Sequence, residues 1–270
     1  MKSRAPLLLI PALLLIGVLY FIPLLRLMGL SFGESGFSFA AYQELFSAWA
    51  YGGILWRTFR IGAFVVLVTL ALGYPIAYVL AFSSPRVRAL ISLLVLLPFW
   101  TSVLVRTFAW IYLLRDGGVV SSALGLFGDQ SVRVLYNDIG VVIGMSNTLL
   151  PFMVFPIFVA LSAQDRSLRE AAASLGATPA AVFRRVTLPL SRNGIFAGAL
   201  LVFASAVGFF ITPALLGGGR VLMAATFVTQ QVEEFLNWPL AAAASLILFA
   251  VVAVLVALYR RIPGADHVTG

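Results

Sequence analysis

Six long apolar stretches, separated by shorter polar segments, dominate the 270-residue chain. A helix needs about 20 predominantly apolar residues to cross the hydrocarbon core of a bilayer. The stretches cover residues 5–25, 61–84, 89–114, 139–164, 193–219 and 235–259. Their apolar residues are continuous rather than alternating, which indicates helices rather than barrel strands. We therefore predict an all-α membrane protein with six transmembrane helices.

The first stretch follows Lys2 and Arg4, as the apolar region of a secretory signal would. It is too long for a signal, and residues 24–28 offer no small-x-small cleavage pattern. We interpret it as a retained span. The outer loop that follows, residues 31–57, is rich in aromatic residues, which is typical of an interfacial element or of a surface that receives a soluble protein.

The loop between the fourth and fifth stretches predicts a helix-turn-helix elbow. Ser167 and Glu170 have the spacing of a capping box, and small apolar residues then recur with helical periodicity. Gly176 suits a left-handed helix end, and Thr178 followed by Pro179 suits the start of a second helix reaching about residue 185. The apolar stripe consists of Leu168, Ala171, Ala172 and Leu175. An amphipathic connector on the lipid surface is the alternative interpretation.

Charge predicts the orientation. With both ends of the six-helix chain inside, the inner segments hold eleven basic and three acidic residues and carry the whole net charge of +8, as the positive-inside rule requires. The chain is 61% hydrophobic and 10% charged, with a mean hydropathy of +1.04. The basic residues are dispersed over short loops, so a nucleic-acid partner is not expected.

Several absences narrow the function. The chain has no cysteine, and its one histidine, His267, lies in a polar tail, so no metal site or catalytic residue is predicted. Its one lysine is Lys2, which excludes a Walker A loop. The predicted spans also lack the carboxylates that proton relays use. A self-contained secondary carrier and a membrane enzyme are therefore weaker alternatives, and any ATP-driven work belongs to another subunit.

The elbow resembles the docking loop of binding-protein-dependent ABC importer permeases. That family has Glu-Ala-Ala, a glycine six residues after the glutamate, and then Ile-x-Leu-Pro. The matching residues here are Glu170, Ala171, Ala172, Gly176, Val186, Leu188 and Pro189, with Val186 in place of isoleucine. Further blocks at 98–110, 137–140, 212–218 and 237–240 resemble the first permease subunit of spermidine/putrescine-type importers.

The resemblance implies a type I importer permease in a bacterial inner membrane, with both termini cytoplasmic. Residues 1–57 would form the first helix and outer loop, 58–262 the five-helix core with a docking loop at 163–192, and 263–270 a polar tail. The implied partners are two copies of an ATPase, which binds ATP and magnesium, a second homologous permease and an extracytoplasmic solute-binding protein. No cofactor is expected in this chain. The expected ATPase-docking residues are Ser167, Leu168, Glu170, Ala171, Ala172, Leu175, Gly176, Phe183, Val186, Leu188 and Pro189.

Predicted helix kinks mark the expected solute pathway, and Asn147, Thr148 and Thr212 are their polar neighbours. The candidates for the pathway are Arg106, Asn147, Thr148, Phe209, Thr212 and Pro213. Counted along an unbroken third helix, Arg106 falls near the outer boundary, where it would snorkel, pair with Asp138, Glu233 or Glu234, or contact solute. Polyamine is the leading solute by resemblance, with opines, phosphonates and other solutes as alternatives. Phe209 lies where many polyamine permeases carry an acidic residue.

Overall fold

The computed structural model describes residues 5–33, 37–47, 49–120, 122 and 134–260, in which regular structure is helical and no strand occurs. The all-α prediction is confirmed over these ranges, while the predicted polar tail lies outside them. In chain order the helices are α1 (Ala5–Leu30), α2 (Ala40–Ser47), α3 (Trp49–Phe82), α4 (Pro85–Leu96), α5 (Val103–Leu114), α6 (Asp138–Ser162), α7 (Arg166–Ser174), α8 (Pro179–Leu190), α9 (Arg192–Val207), α10 (Ile211–Leu216), α11 (Ala224–Glu233) and α12 (Trp238–Arg260).

Helices α3, α6 and α9 pack together as the centre of the structure. Side chains at every fourth position of α6 are buried on this centre, because residues four apart lie on the same face of a helix. These fully buried side chains are Met145, Leu149, Met153, Ile157 and Leu161. The remaining helices are arranged around this three-helix centre.

Glycines let the central helices approach closely. A Cβ atom at Gly194 of α9 would lie 2.5 Å from the carbonyl oxygen of Pro156 and 3.0 Å from the Cα of Ile157, both on α6. Further along α9, a Cβ at Gly198 would lie 3.2 Å from the carbonyl oxygen of Met153. Small residues at such contacts let helices gain van der Waals contact, which drives helix association within lipid.

Three described helices, α3, α6 and α12, are each long and apolar enough to cross a membrane. Two pairs of helices pass the same test jointly but are bent: α4 with α5 by 98°, and α8 with α9 by 59°. The structure thus contains three to five candidate spans by this measure, and α1 is a further apolar helix of 26 residues.

The predicted third span is not the continuous helix that its sequence suggested. Helix α4 ends at Leu96 and passes into a short 3-10 turn, Leu97–Trp100, before α5 begins at Val103. The backbone of Thr101 is extended, and the amide of Pro98 carries no hydrogen to donate. The fifth predicted span is also interrupted, between Val207 and Ile211.

The two pieces of the third span both pack against α6. Successive residues of α4, the 3-10 turn and α5 contact successively earlier residues of α6. These pairs are Arg88 with Phe158, Phe99 with Phe152, and Arg106 with Thr148. The contacts therefore run in one direction along α6.

Gly194→Ala is expected to destabilise the close contact between α9 and α6. The added methyl group meets backbone atoms of α6, which cannot rotate away, so the helices must separate at a cost of about 1–3 kcal/mol. Thermal unfolding of the detergent-purified protein measures the effect. Gly53→Ala in α3 is the matched control, because nothing lies within 4 Å of its Cβ position. Equal melting temperatures for the two variants would contradict the close contact.

Candidate functional site

The first arm of the elbow, α7, is capped by Asp165 rather than by Ser167. The Asp165 carboxylate accepts a hydrogen bond from the Ser167 backbone amide at 2.9 Å, and the helix begins at Arg166. The predicted capping box of Ser167 and Glu170 is therefore wrong, since a cap two residues earlier already serves the free amides. Hydrogen bonds from the backbone and hydroxyl of Ser167 hold the pKa of the Asp165 carboxyl below its ordinary value. The cap stays charged at neutral pH.

The turn between the arms has the predicted left-handed glycine. Gly176 has a φ of +79°, and its amide donates to the Ala173 carbonyl at 2.9 Å. The amide of Ala177 donates to the Ala172 carbonyl at 3.1 Å. This pair of bonds is the Schellman motif, which satisfies the last carbonyls of a helix. A side chain at position 176 would strain the turn.

The second arm, α8, starts as predicted but continues beyond residue 185. Thr178 caps it by accepting from the Ala181 amide at 3.3 Å. A π-helical turn then covers Phe183–Thr187, and the Leu188 amide donates to the Phe183 carbonyl, so that the arm extends to Leu190. Pro189 explains this turn, because its ring would clash with the carbonyl four residues earlier in a regular α-helix.

The apolar stripe of α7 faces away from the protein. Leu175 is 88% exposed and Leu168 48% exposed, and Ala171 is exposed beside them. Ala172 is partly buried. An exposed stripe of leucine and alanine on a short helix that also carries charges is typical of a surface that binds another protein.

Not all of the predicted docking residues face outward. Phe183 turns inward and makes edge-to-face contacts with Tyr74 and Tyr78 of α3, at centroid distances of 5.7 and 6.0 Å. Val186 is partly buried, whereas Ser167, Glu170, Gly176, Leu188 and Pro189 are exposed. Phe183 therefore anchors the elbow to the spans instead of contributing to its outer surface.

Two of the predicted pathway residues, Arg106 and Thr148, are in direct contact. The Nη1 group of Arg106 donates to the Thr148 hydroxyl at 3.2 Å. The residue after Arg106 is Thr107, whose hydroxyl lies 3.4 Å from the Thr212 hydroxyl in the interior. Asn147 is rotated by about 100° around α6 relative to Thr148, so the two side chains do not share a direction.

The other pathway candidates lie apart from this cluster. Phe209 packs against the apolar core. Pro213 is buried and lines a separate cavity of about 200 Å³, together with Phe210, Glu233 and Glu234 among others. The structure thus does not bring the six candidates together at one site.

Arg106 does not pair with any of the three carboxylates that the sequence offered. Among the described residues Asp138 is held by Arg60 and, at 3.8 Å, by Arg57, and Arg106 bonds to hydroxyls and backbone carbonyls. The count along an unbroken third helix does not apply to Arg106, because the two pieces of that span are bent by 98°.

Comparison with known proteins identifies the class. Residues 73–263 match the family model of the binding-protein-dependent transport system inner membrane component. The chain belongs to this family. The permease is 35% identical over 255 residues to the spermidine/putrescine transport system permease protein PotB of Haemophilus influenzae, covering 94% of this chain and 87% of that one. It is 37% identical over 200 residues to a probable molybdenum ABC transporter permease of Haloferax volcanii, covering 73% and 70%.

A solved structure shares the fold. The permease aligns with a chain of a bacterial alginate ABC transporter in complex with an alginate pentasaccharide-bound periplasmic protein, with a TM-score of 0.80 and 18% identity, over 98% of this chain and 96% of that one. At this identity the likeness establishes the ABC importer permease fold. The chain is an inner-membrane permease subunit of an ABC transporter, as the sequence predicted.

Three contacts that fix the elbow of the permease were missed by sequence reasoning. Arg169 lies over the ring of Phe82 at the end of α3, 3.9 Å from its centroid. The Gln164 side-chain amide donates to the Thr187 carbonyl at 3.0 Å. The hydroxyls of Tyr74 and Ser191 are 3.0 Å apart. Each contact joins residues far apart in the chain, so no local pattern marks it.

Arg169→Ala is expected to loosen the first arm of the elbow. A cation over an aromatic ring at a partly exposed site is worth about 1 kcal/mol, so the amides of α7 should exchange hydrogen about fivefold faster. Hydrogen–deuterium exchange with mass spectrometry measures this. Arg166→Ala removes the same charge from an exposed position of the same helix and is the control. The same acceleration of exchange in both variants would mean that the contact with Phe82 does not stabilise α7.

Proposed function

We propose that this permease imports a polyamine such as spermidine or putrescine, with the elbow as the surface on which an ATPase docks. The observation that carries the solute is the 35% identity with a spermidine/putrescine permease over 94% of the chain. The docking role is supported by the exposed apolar stripe of α7, a helix that is attached to α3.

The proposed assembly contains two copies of the ATPase, a second homologous permease and an extracytoplasmic binding protein. In it α1, α3, the α4–α5 pair, α6, α9 and α12 make six crossings, with both termini and the elbow in the cytoplasm. The distribution of basic residues supports this orientation. Labelling of Ala173→Cys by an impermeant maleimide on intact cells would contradict it.

Force would pass from the ATPase to the spans through contacts at the back of the elbow. Phe183 rests on Tyr74 and Tyr78, and Arg169 rests on Phe82, so both arms are seated on the inner end of α3. Closure of the two ATPases would then displace α3 together with the elbow, and rigid-body rocking of packed helices would alternate access.

A different solute remains the second candidate, for a specific reason. The relative from Haloferax volcanii, which is 37% identical, is described as a probable molybdenum permease, so identity at this level does not separate a cation from an oxyanion. In addition, Phe209 offers only an aromatic face to a cation, not a carboxylate.

Ala172→Trp is expected to prevent docking of the ATPase. The indole would stand between two surfaces that must approach closely, and loss of a well-packed contact costs at least about 2 kcal/mol, or roughly thirtyfold in affinity. Gly176→Val should act similarly by misdirecting α8. The measurement is co-purification of the ATPase subunit with membrane levels of the permease held equal. Arg166→Ala, on the exposed charged face, is the control. Undiminished co-purification with both variants would rule out the elbow as the docking site.

Spermidine is expected to stimulate ATP hydrolysis by the complete transporter. The assay uses proteoliposomes with the cognate binding protein, and molybdate at the same concentration is the matched probe of opposite charge. Stimulation by spermidine alone supports the proposed solute, whereas stimulation by molybdate alone would overturn it. Because ATPase docking is measured separately by co-purification, failure of one part of the proposal is distinguishable from failure of the other.

A further inference from the structure

The break in the third span leaves backbone carbonyls outside a helical ladder. Between the 3-10 turn at Leu97–Trp100 and the start of α5, the chain is extended at Thr101 and Ser102. The carbonyl of Thr101 therefore has no helical amide above it. In a membrane interior such groups must find partners within the protein.

Arg106, one turn into α5, supplies the partner of the Thr101 carbonyl. It also adds a donor to the Pro98 carbonyl, which accepts from the Thr101 amide at 3.3 Å and from the Thr101 hydroxyl at 2.9 Å. Its Nη2 group donates to the carbonyl of Pro98 and, at 3.0 Å, to the carbonyl of Thr101, and its Nε group lies 3.3 Å from the Thr101 hydroxyl. These bonds connect the first turn of α5 to residues of the break that precedes it. The fourth bond, from Nη1 to the Thr148 hydroxyl at 3.2 Å, leaves the span and reaches α6. A planar guanidinium with several donors in fixed directions suits this task better than any other side chain.

The charge of Arg106 lies deep in the predicted span, where it costs free energy. Its partner Thr148 is ten residues from the outer end of α6 and fourteen from the inner end, or about 15 Å and 21 Å of helical rise. A charge near mid-depth is retained in a membrane protein only where it performs a task. The bonds of Arg106 identify that task as internal, because they all go to atoms of the span break and of α6.

We propose that Arg106 is a positioning residue that fixes the 98° bend of the third span and pins it to α6. The same residue also affects the position of α10. Thr107, the next residue, meets Thr212 of α10 at 3.4 Å, so the angle of α5 also sets the place of α10, beyond the interruption that follows α9. One guanidinium thereby holds both interrupted segments in register.

The chain has no cysteine, which allows the bend to be measured directly. Spin labels are placed at Leu93→Cys on α4 and Tyr112→Cys on α5, both exposed positions, in the full chain purified with its co-purifying subunits. Double electron–electron resonance should give a single narrow distance. In Arg106→Gln the distribution should broaden and shift to longer distances, up to the roughly 10 Å that full straightening of two such arms would add.

The comparison variants make the outcome decisive. Arg106→Lys retains a charged donor that reaches the carbonyls and should shift the distance by less than half as much as Arg106→Gln; Val105→Ala, on the exposed side of α5, should not shift it. If Arg106→Gln fails to fold, Thr148→Val against Thr148→Ser tests the pin, with broadening expected only for valine. A wild-type distribution in Arg106→Gln, or in Thr148→Val where that variant decides, would overturn the proposal, as would equal shifts for lysine and glutamine.

Discussion

Every backbone amide and carbonyl within the bilayer must be bonded inside the protein, and this requirement determines where the permease is regular and what happens where it is not. Long stretches satisfy it by forming helices. Breaks, helix ends and irregular turns, inside the spans or next to them, leave carbonyls that side chains can serve. Arg106 serves the carbonyls at the break of the third span, Arg88 donates to the Leu80 and Ala81 carbonyls at the end of α3, and Gln164 donates to the Thr187 carbonyl at the π-helical turn.

Two arginines connect the C-terminal end of α3 to its neighbours. Arg88 of α4 donates to the carbonyls at this end, while Arg169 of the elbow lies over the ring of Phe82 at the same end. The positive charges suit this place because the carbonyl end of a helix carries partial negative charge. Arg88 thus joins α4 to α3, and Arg169 joins the elbow to it.

The apolar pattern was sufficient for the fold class and for most helices, and local chemistry was sufficient for the turn of the elbow. Gly176 and Thr178 took their predicted roles because each acts on amides and carbonyls within a few residues. The break at residues 97–102 was missed because it lies within a stretch of high overall hydropathy, and hydropathy alone does not distinguish a helix from a turn. The contacts of Arg106 were missed for the same reason. Its partners depend on the bend, and the bend is a tertiary feature.

The junction between α8 and α9 has a mechanical consequence. A single residue, Ser191, separates the elbow from α9, and its hydroxyl meets Tyr74 of α3. A force applied to the elbow therefore acts on α9 and α3 together. Both helices pack closely against α6 at glycines. The three would move as one block, with little slip between them. Helices α5 and α10, which lie across the interruptions, join this block through contacts of their own: the bond from Arg106 to Thr148 and the close approach of Thr212 to Gly144.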